Sequence, residues 1–489
     1  MGRLPRILAI LVSVYLLSFL GHARSHFEHI TKTYPIHLAS SSESFANIFR
    51  ENIDIGAKLK KAIPKLLEKM KSIFSQKEVN EIFEGYNSDP KYARFMRDVN
   101  AIYKILERFP GKDVSETDVF LINIYYEFDA GCTAVMAVQE PGGYVRLAHN
   151  LDFPNYEFFR SVYIATDFIR DGRKDFSCSG PVGGVGVMLC TKIGKYSIAL
   201  NERDKDKDLK RMGRRAKEAK WPIMWLIREV LEKCQTYEEA VTMLNETETV
   251  SGSYLSIAGA KVGLDDKTYK YQGIILTKTH DATIHEEYLN STNNFLAQGN
   301  TDWNDTNKKV LNDPTWRTRD GFLALRDIAR YMPGTKFTSQ QLRDNVLKSY
   351  PNLRFDDDPL VPKHNDGTIS IVSMEPNGTA PIESWVYWQE NNTCLGTGSC
   401  EEHDEKKGNP FCCCSADSQT CSCCKNILLF RCYNIVGHEC KNINLPFGKE
   451  LEEYAGYHIH GRAPAGKADA NAEDPEDPED PEDPEDPEE

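Results

Sequence analysis

A single cysteine, Cys132, heads an apolar alternating run, Thr133-Ala134-Val135-Met136-Ala137-Val138, and that alternation is the pattern of a strand. Gly142-Gly143 then turns the chain, and Tyr144-Val145-Arg146-Leu147-Ala148 reads as the hairpin partner. Asn150 and Asp152 fall where that second strand ends. Such a hairpin sets a thiol at a strand tip and delivers polar groups beside it. The usual fate of a free cysteine is burial as a small hydrophobe, and on spacing alone that reading comes first.

The flanking pattern extends the hairpin into a domain. Residues 26–125 read as mainly helical; between Ile53 and Phe74, Leu59, Ile63, Leu66, Leu67 and Met70 recur at helical spacing among lysines. That basic amphipathic helix is either a solvated helix with one buried face or a transient contact with a membrane or lipid aggregate. Strands are expected at 133–138, 144–149, 159–167, 184–190 and 195–200, and Arg203 to Lys220 reads as an exposed charged loop. Helices fit 221–233 and 237–246, the second opened by the capping pattern Thr236-Tyr237-Glu238-Glu239. Strands return at 253–259, 271–277 and 294–298, helices at 321–331 and 338–348, and strands at 368–374 and 381–388. This order implies an α+β fold of two sheets covered by helices.

The ends differ from the body. Residues 1–25 read as a signal peptide, with Arg3 and Arg6 ahead of the apolar stretch Ile7 to Leu20. The net charge of −14 sits mostly in Glu473 to Glu489, whose twelve acidic residues face no basic ones. That tail, 446–489, has a Glu-Asp-Pro repeat that cannot pack, and no nucleic-acid partner is indicated. Ten of the fourteen cysteines crowd into 394–440; behind a signal peptide the segment 391–445 reads as a disulfide-stapled module, with zinc as the cytosolic alternative. Sequons at Asn245, Asn290, Asn304, Asn377 and Asn391 agree with a lumenal route.

Cys132-Thr133 followed by Asn150-Leu151-Asp152-Phe153-Pro154 resembles the start of the mature large subunit in the acid ceramidase and N-acylethanolamine acid amidase family, which are N-terminal-nucleophile cysteine hydrolases. Leu200-Asn201-Glu202-Arg203, the helix pair from Trp221, Gly299-Asn300-Thr301-Asp302-Trp303 and Trp316-Arg317-Thr318-Arg319 resemble further family elements in the same order. The likeness covers roughly residues 33–390. It implies an αββα sandwich cut between Gly131 and Cys132, giving a helical small subunit (26–131) paired with a large one (132–390). The resemblance further implies that Cys132 attacks the Gly131 carbonyl, and glycine eases that approach. The freed α-amine, with an ordinary pKa near 8, then serves as base for its own thiol. Asp152 orients that amine, and Asn201 and Glu202 line the site. Asn300 is the expected oxyanion donor, a role typically worth about 3 kcal/mol. Arg317 matches one family arginine. Where the family has Gly-Arg-Asn-Leu-Asp, this chain has Ala148-His149-Asn150-Leu151-Asp152. Histidine titrates near pH 6.5, so His149 is expected to carry the arginine's charge only at acid pH.

The resemblance implies no cofactor or metal. It implies a lysosomal or secreted hydrolase of lipid amides, with ceramide first and N-acylethanolamines second. A related acylase of the penicillin V or bile-salt type, or a secreted binding protein that kept the fold, are the rivals.

Overall fold

The computed structural model describes residues 26–125, 131–139, 143–152, 156–203, 208–302, 325, 337–338, 342–347, 368–378, 382–388, 411–414 and 421–424. Strands in chain order are β1 (His26–His29), β2 (Thr33–His37), β3 (Gly131–Gln139), β4 (Tyr144–Asp152), β5 (Tyr163–Arg170), β6 (Arg173–Pro181), β7 (Leu189–Lys192) and β8 (Tyr196–Glu202). They continue as β9 (Ser253–Gly259), β10 (Lys270–Lys278), β11 (Thr283–Asn290), β12 (Phe295–Gln298), β13 (Thr368–Met374) and β14 (Ile382–Trp388). Two sheets result: a six-stranded one ordered β1-β14-β13-β4-β3-β12 and an eight-stranded one ordered β11-β10-β9-β8-β7-β6-β5-β2. The β2–β5 pair is parallel; every other pair in these two sheets is antiparallel.

The expected hairpin forms in register, Cys132 opposite Leu151 and Gly131 opposite Asp152. Its alternation decides the layering. Cys132, Ala134, Met136, Leu147 and Leu151 join the core shared with the larger sheet. Val135, Ala137 and Ala148 instead pack with Leu325, Phe337, Leu342 and Val346 on the other side. The two sheets therefore face one another, and a β-carbon added at Gly273 of the larger sheet would lie 2.9 Å from the Met136 sulfur.

Helices cover the far face of the larger sheet. The Ile223–Lys233 helix sits over β7 and β8, where the Tyr196 hydroxyl donates to the carbonyls of Val230 and Cys234. Trp225 of that helix is fully buried and draws in the N-terminal helices: Phe95 stacks on it at 4.9 Å and Tyr86, Tyr92 and Phe120 meet it edge-on. Aromatic pairs of this geometry add about 1 kcal/mol each beyond the area they bury. The αββα sandwich is thus present, and Thr236 closes its expected capping box with Glu239.

Two expectations are corrected. The N-terminal segment is not helical throughout: β1 and β2 extend one edge of each sheet. Arg203 to Lys220 is not an exposed loop. Leu209–Lys217 is a helix capped by Asp208, with Met212, Gly213 and Ala216 buried and Arg215 bonded to the carbonyls of Thr249 and His280. Leu59, Ile63, Leu66, Leu67 and Met70 all lie in the core, as a solvated helix with one buried face requires. Strands β6 and β11 were also not anticipated.

In the cysteine-rich segment Phe411–Cys414 pairs antiparallel with Cys421–Cys424. Cys178 and Cys190, directly opposite on β6 and β7, form a disulfide. Arg317, Asn304, Asn391, the signal segment, most of the helices expected at 321–331 and 338–348, and the acidic tail lie outside the described residues. Of the other sequons, Asn377 is exposed, while Asn245 and Asn290 are half-buried.

Candidate active site

Three consecutive residues at the end of β8 zip onto the loop after β12, and this zipper builds the site. Asn201 Nδ2 donates to the carbonyls of Gln298 and Gly299 at 2.9 and 3.1 Å. The Glu202 carbonyl accepts from Asn300 Nδ2 at 2.8 Å. Arg203 grips Asp302 with a two-pronged bond of 2.7 and 2.5 Å, and the Tyr254 hydroxyl adds a third contact to that carboxylate at 2.7 Å. A buried bidentate pair of this kind fixes geometry as much as it adds energy. The sequence motifs containing Asn201 and Asn300 are therefore one structural unit. Arg203 and Asp302 lock it, though neither was expected to have a role.

The zipper aims Asn300 at the cysteine. Because the Glu202 carbonyl can only accept, the Asn300 amide nitrogen must face it, and Oδ1 is left facing the Cys132 main-chain N–H at 2.9 Å. Cys132 is fully buried and its thiol is free of any disulfide. Asp152 is buried beside Gly131 in register and accepts from Asn150 Nδ2 at 3.1 Å and from the Thr368 hydroxyl at 2.9 Å. Asn300 Oδ1 thus holds the Cys132 main-chain nitrogen in the uncut chain. Glu202 contributes its carbonyl to the zipper, and Arg203 pairs with Asp302.

His149 departs furthest from expectation. It points into the space between the sheets, where Nε2 lies 3.0 Å from the Leu200 carbonyl and 3.1 Å from Asn201 Oδ1. The carbonyl must receive a proton, so Nε2 carries the hydrogen and the Nδ1 lone pair is buried without a hydrogen-bond partner among the described residues. Burial pushes its pKa down to about 4, outweighing those two contacts. His149 is thus neutral at mildly acid pH and does not restore an arginine's charge there. Arg146 does not replace it either, since it pairs with Glu375 on the opposite face of the sheet.

This depressed pKa carries a sign. Unfolded, the ring titrates near 6.5, so between about pH 6.5 and 4 the unfolded chain binds more protons and stability falls as pH falls. The contribution is fully present above 6.5. Between pH 7 and pH 5 it drops by about 2 kcal/mol. Urea unfolding at the two pH values should show this loss, and His149→Gln should remove that share of it; an unchanged pH dependence in the variant refutes the assignment.

The model of the acyl-coenzyme A:6-aminopenicillanic acid acyl-transferase family matches residues 208–359. N-acylethanolamine-hydrolyzing acid amidase of Mus musculus is 30% identical over 166 residues, covering 34% of this chain and 43% of that protein. The protein of that name from Caenorhabditis elegans is 30% identical over 191 residues, covering 38% and 50%. Acid ceramidase of Balaenoptera acutorostrata scammoni is 31% identical over 165 residues, covering 30% and 41%. These matches make the chain similar to the acid ceramidase and N-acylethanolamine acid amidase family. Its matches span about half the length, or less, of these relatives. A solved structure of a Caenorhabditis elegans N-acylethanolamine-hydrolyzing acid amidase ortholog aligns at 25% identity over 51% of this chain and 95% of that one, with a TM-score of 0.42. The family match from 208 to 359 includes Asn300 and Arg317, and Cys132, Asp152 and Asn201 lie ahead of it.

Proposed function

We propose that the chain is a self-activating amidase of linear lipid amides, cut between Gly131 and Cys132. The observation that carries this reading is the buried Cys132, outside any disulfide, whose own main-chain nitrogen is held by Asn300 Oδ1. A structural cysteine in a core strand has no need of a side chain gripping its amide. A nucleophile that uses its own nitrogen as base needs that nitrogen fixed relative to the sulfur.

In the first step the thiol adds to the Gly131 carbonyl and the Gly131–Cys132 bond breaks, leaving a thioester that water hydrolyses. The freed α-amine, positioned by Asn300 Oδ1 and Asp152, takes the thiol proton in each later turnover and returns it to the leaving amine. Ceramide is the first substrate by overall resemblance, and N-acylethanolamine amides are the second; curated relatives named for both activities support the class. The product of the cut is a small and a large subunit that stay together, in a lysosomal or secreted setting.

Full-length protein held at pH 4.5 and then sequenced from its new ends should yield a fragment beginning Cys-Thr-Ala-Val. An intact chain at acid and neutral pH alike ends the proposal.

A further inference from the structure

Asn300 reaches Cys132 from a loop that has to be held in place, and the hold begins on the nucleophile's own hairpin. His149 lies two residues before Leu151 on β4, and Leu151 stands opposite Cys132, so His149 shares the inward face of the hairpin with the cysteine. Its ring reaches across the space between the sheets to β8, where Nε2 is 3.0 Å from the Leu200 carbonyl and 3.1 Å from Asn201 Oδ1.

The proton on that ring follows from its surroundings. Asn201 Nδ2 is committed to the carbonyls of Gln298 and Gly299, which turns its Oδ1 toward the imidazole. Both atoms facing Nε2 are therefore acceptors, and one N–H shared between them satisfies both. A circuit closes: His149 on β4 holds Asn201 on β8, Asn201 holds the loop after β12, Asn300 of that loop holds the Cys132 main chain on β3, and β3 pairs with β4. His149, Asn201 and Asn300 are all buried, where a missing hydrogen bond costs more than at the surface. Neither ring nitrogen meets a carboxylate. Nε2 faces the two acceptors just named, and Nδ1 is without a hydrogen-bond partner among the described residues.

We propose that His149 is a positioning residue: its single N–H braces Asn201, and through Asn201 the loop that aims Asn300 at Cys132. This rests on the amidase reading above. The brace moves no proton and touches no reacting atom. It sets where the Cys132 nitrogen lies relative to its own sulfur when the thiol attacks. The arginine that the family resemblance places here is therefore not equivalent in this chain. An arginine at 149 brings five donors to two acceptors, and a buried charge with no carboxylate beside the ring to balance it.

The test compares the full-length wild type with His149→Gln, His149→Leu and His149→Arg, for self-cleavage rate and for turnover of ceramide and of an N-acylethanolamine. Glutamine carries an amide N–H about as far from the main chain as Nε2, and leucine fills similar space with no donor. Misplacing a reacting group by about an ångström can cost a hundredfold in rate. His149→Leu should accordingly lose about a hundredfold in both the cut and kcat with KM little changed, and His149→Gln should recover most of that loss. His149→Arg should cut itself and turn over amide more slowly than the wild type at pH 4.5 and at pH 7 alike. If His149→Leu does not fold, His149→Asn takes its place: its amide is one methylene shorter than glutamine's, falls short of the Leu200 carbonyl, and should lose as much. A leucine or asparagine variant as active as the wild type, a glutamine variant as impaired as the leucine one, a loss confined to KM, or an arginine variant faster than the wild type overturns the proposal while leaving the amidase reading intact. A wild-type chain that neither cuts itself nor turns over amide overturns both.

Discussion

Cys132→Ala is expected to give a folded, uncut chain with no measurable amide turnover. Removing the nucleophile of a hydrolase that proceeds through a covalent intermediate commonly costs about a millionfold, because the remaining groups act only through it. On the proposed mechanism the loss is twofold in origin, since the same sulfur would both open the Gly131 bond and attack substrate. The fold should survive. Cys132 is fully buried in β3, but trading its thiol for a methyl removes one atom from a site whose strand register is set by Leu151 opposite and by the Asn300 bond to the main chain. Neither of those needs the sulfur, and the destabilisation should stay near 1 kcal/mol. Cys132→Ser separates the two origins, because a serine hydroxyl is a weaker nucleophile that the same amine can still activate. Slow cutting of the serine variant, with none in the alanine variant, locates the chemistry at this atom. Wild-type enzyme quenched during turnover should carry the acyl group on the peptide that begins at Cys132. Turnover by the alanine variant, or an acyl group on another residue, refutes the assignment.

Some of this was legible in the sequence, and the reason is physical. The hairpin around Cys132, β9 and β13 showed plainly because their burial imposes an unbroken apolar or alternating run. β1, β2 and β11 were missed because they are edge strands. Thr283–Asn290 carries His285, Glu286 and Glu287 and alternates in burial only once it is laid against β10. Asp208 to Lys217 looked like a loop because its charge hid a narrow buried stripe of Met212, Gly213 and Ala216. In the site, Cys132, Asn201 and Asn300 could be picked out only as a set of motifs in order. Their joining depends on the Arg203–Asp302 clamp, a contact between residues about a hundred positions apart that no local pattern announces. The charge state of His149 was misjudged for the same reason: residue type gives an ordinary pKa, and only the folded surroundings show that burial overrides it.

Arg228→Met is expected to destabilise the protein by about 3–5 kcal/mol and, in the proposed cleaved form, to loosen the small subunit. Asp98, on the N-terminal helix Ala93–Leu106, is fully buried and bonded at 2.8 Å to Arg228 of the helix over the larger sheet. The Ser41 and Ser42 hydroxyls donate to the same carboxylate at 2.8 and 2.7 Å, so one carboxyl ties two N-terminal helices to the body. Arg228 also bonds Glu232 and the Val185 carbonyl, and its guanidinium lies over the rings of Phe45, Phe95 and Phe168. Nearby, Arg94 pairs with Glu229 and Glu232, repeating the link across the same junction. Methionine can fill the space among the rings, but it leaves Asp98 buried with two hydroxyls and no cation facing it in this pair. The cost is therefore that of an uncompensated charge, well above a surface pair's fraction of a kcal/mol. Asp98→Ala combined with Arg228→Met should cost less than the two single changes added together, because the second removes the charge the first strands. Both members lie on opposite sides of the Gly131–Cys132 bond, so the same energy should appear as a weaker association of the cut fragments. A loss of 3–5 kcal/mol corresponds to a dissociation constant raised by about two to four powers of ten. Denaturant unfolding of the uncut Cys132→Ala chain measures the first quantity, and gel filtration of dilute cleaved protein measures the second. Fragments that stay together equally well in the Arg228→Met protein would show that the aromatic cluster around Trp225, and not this charge pair, carries the junction.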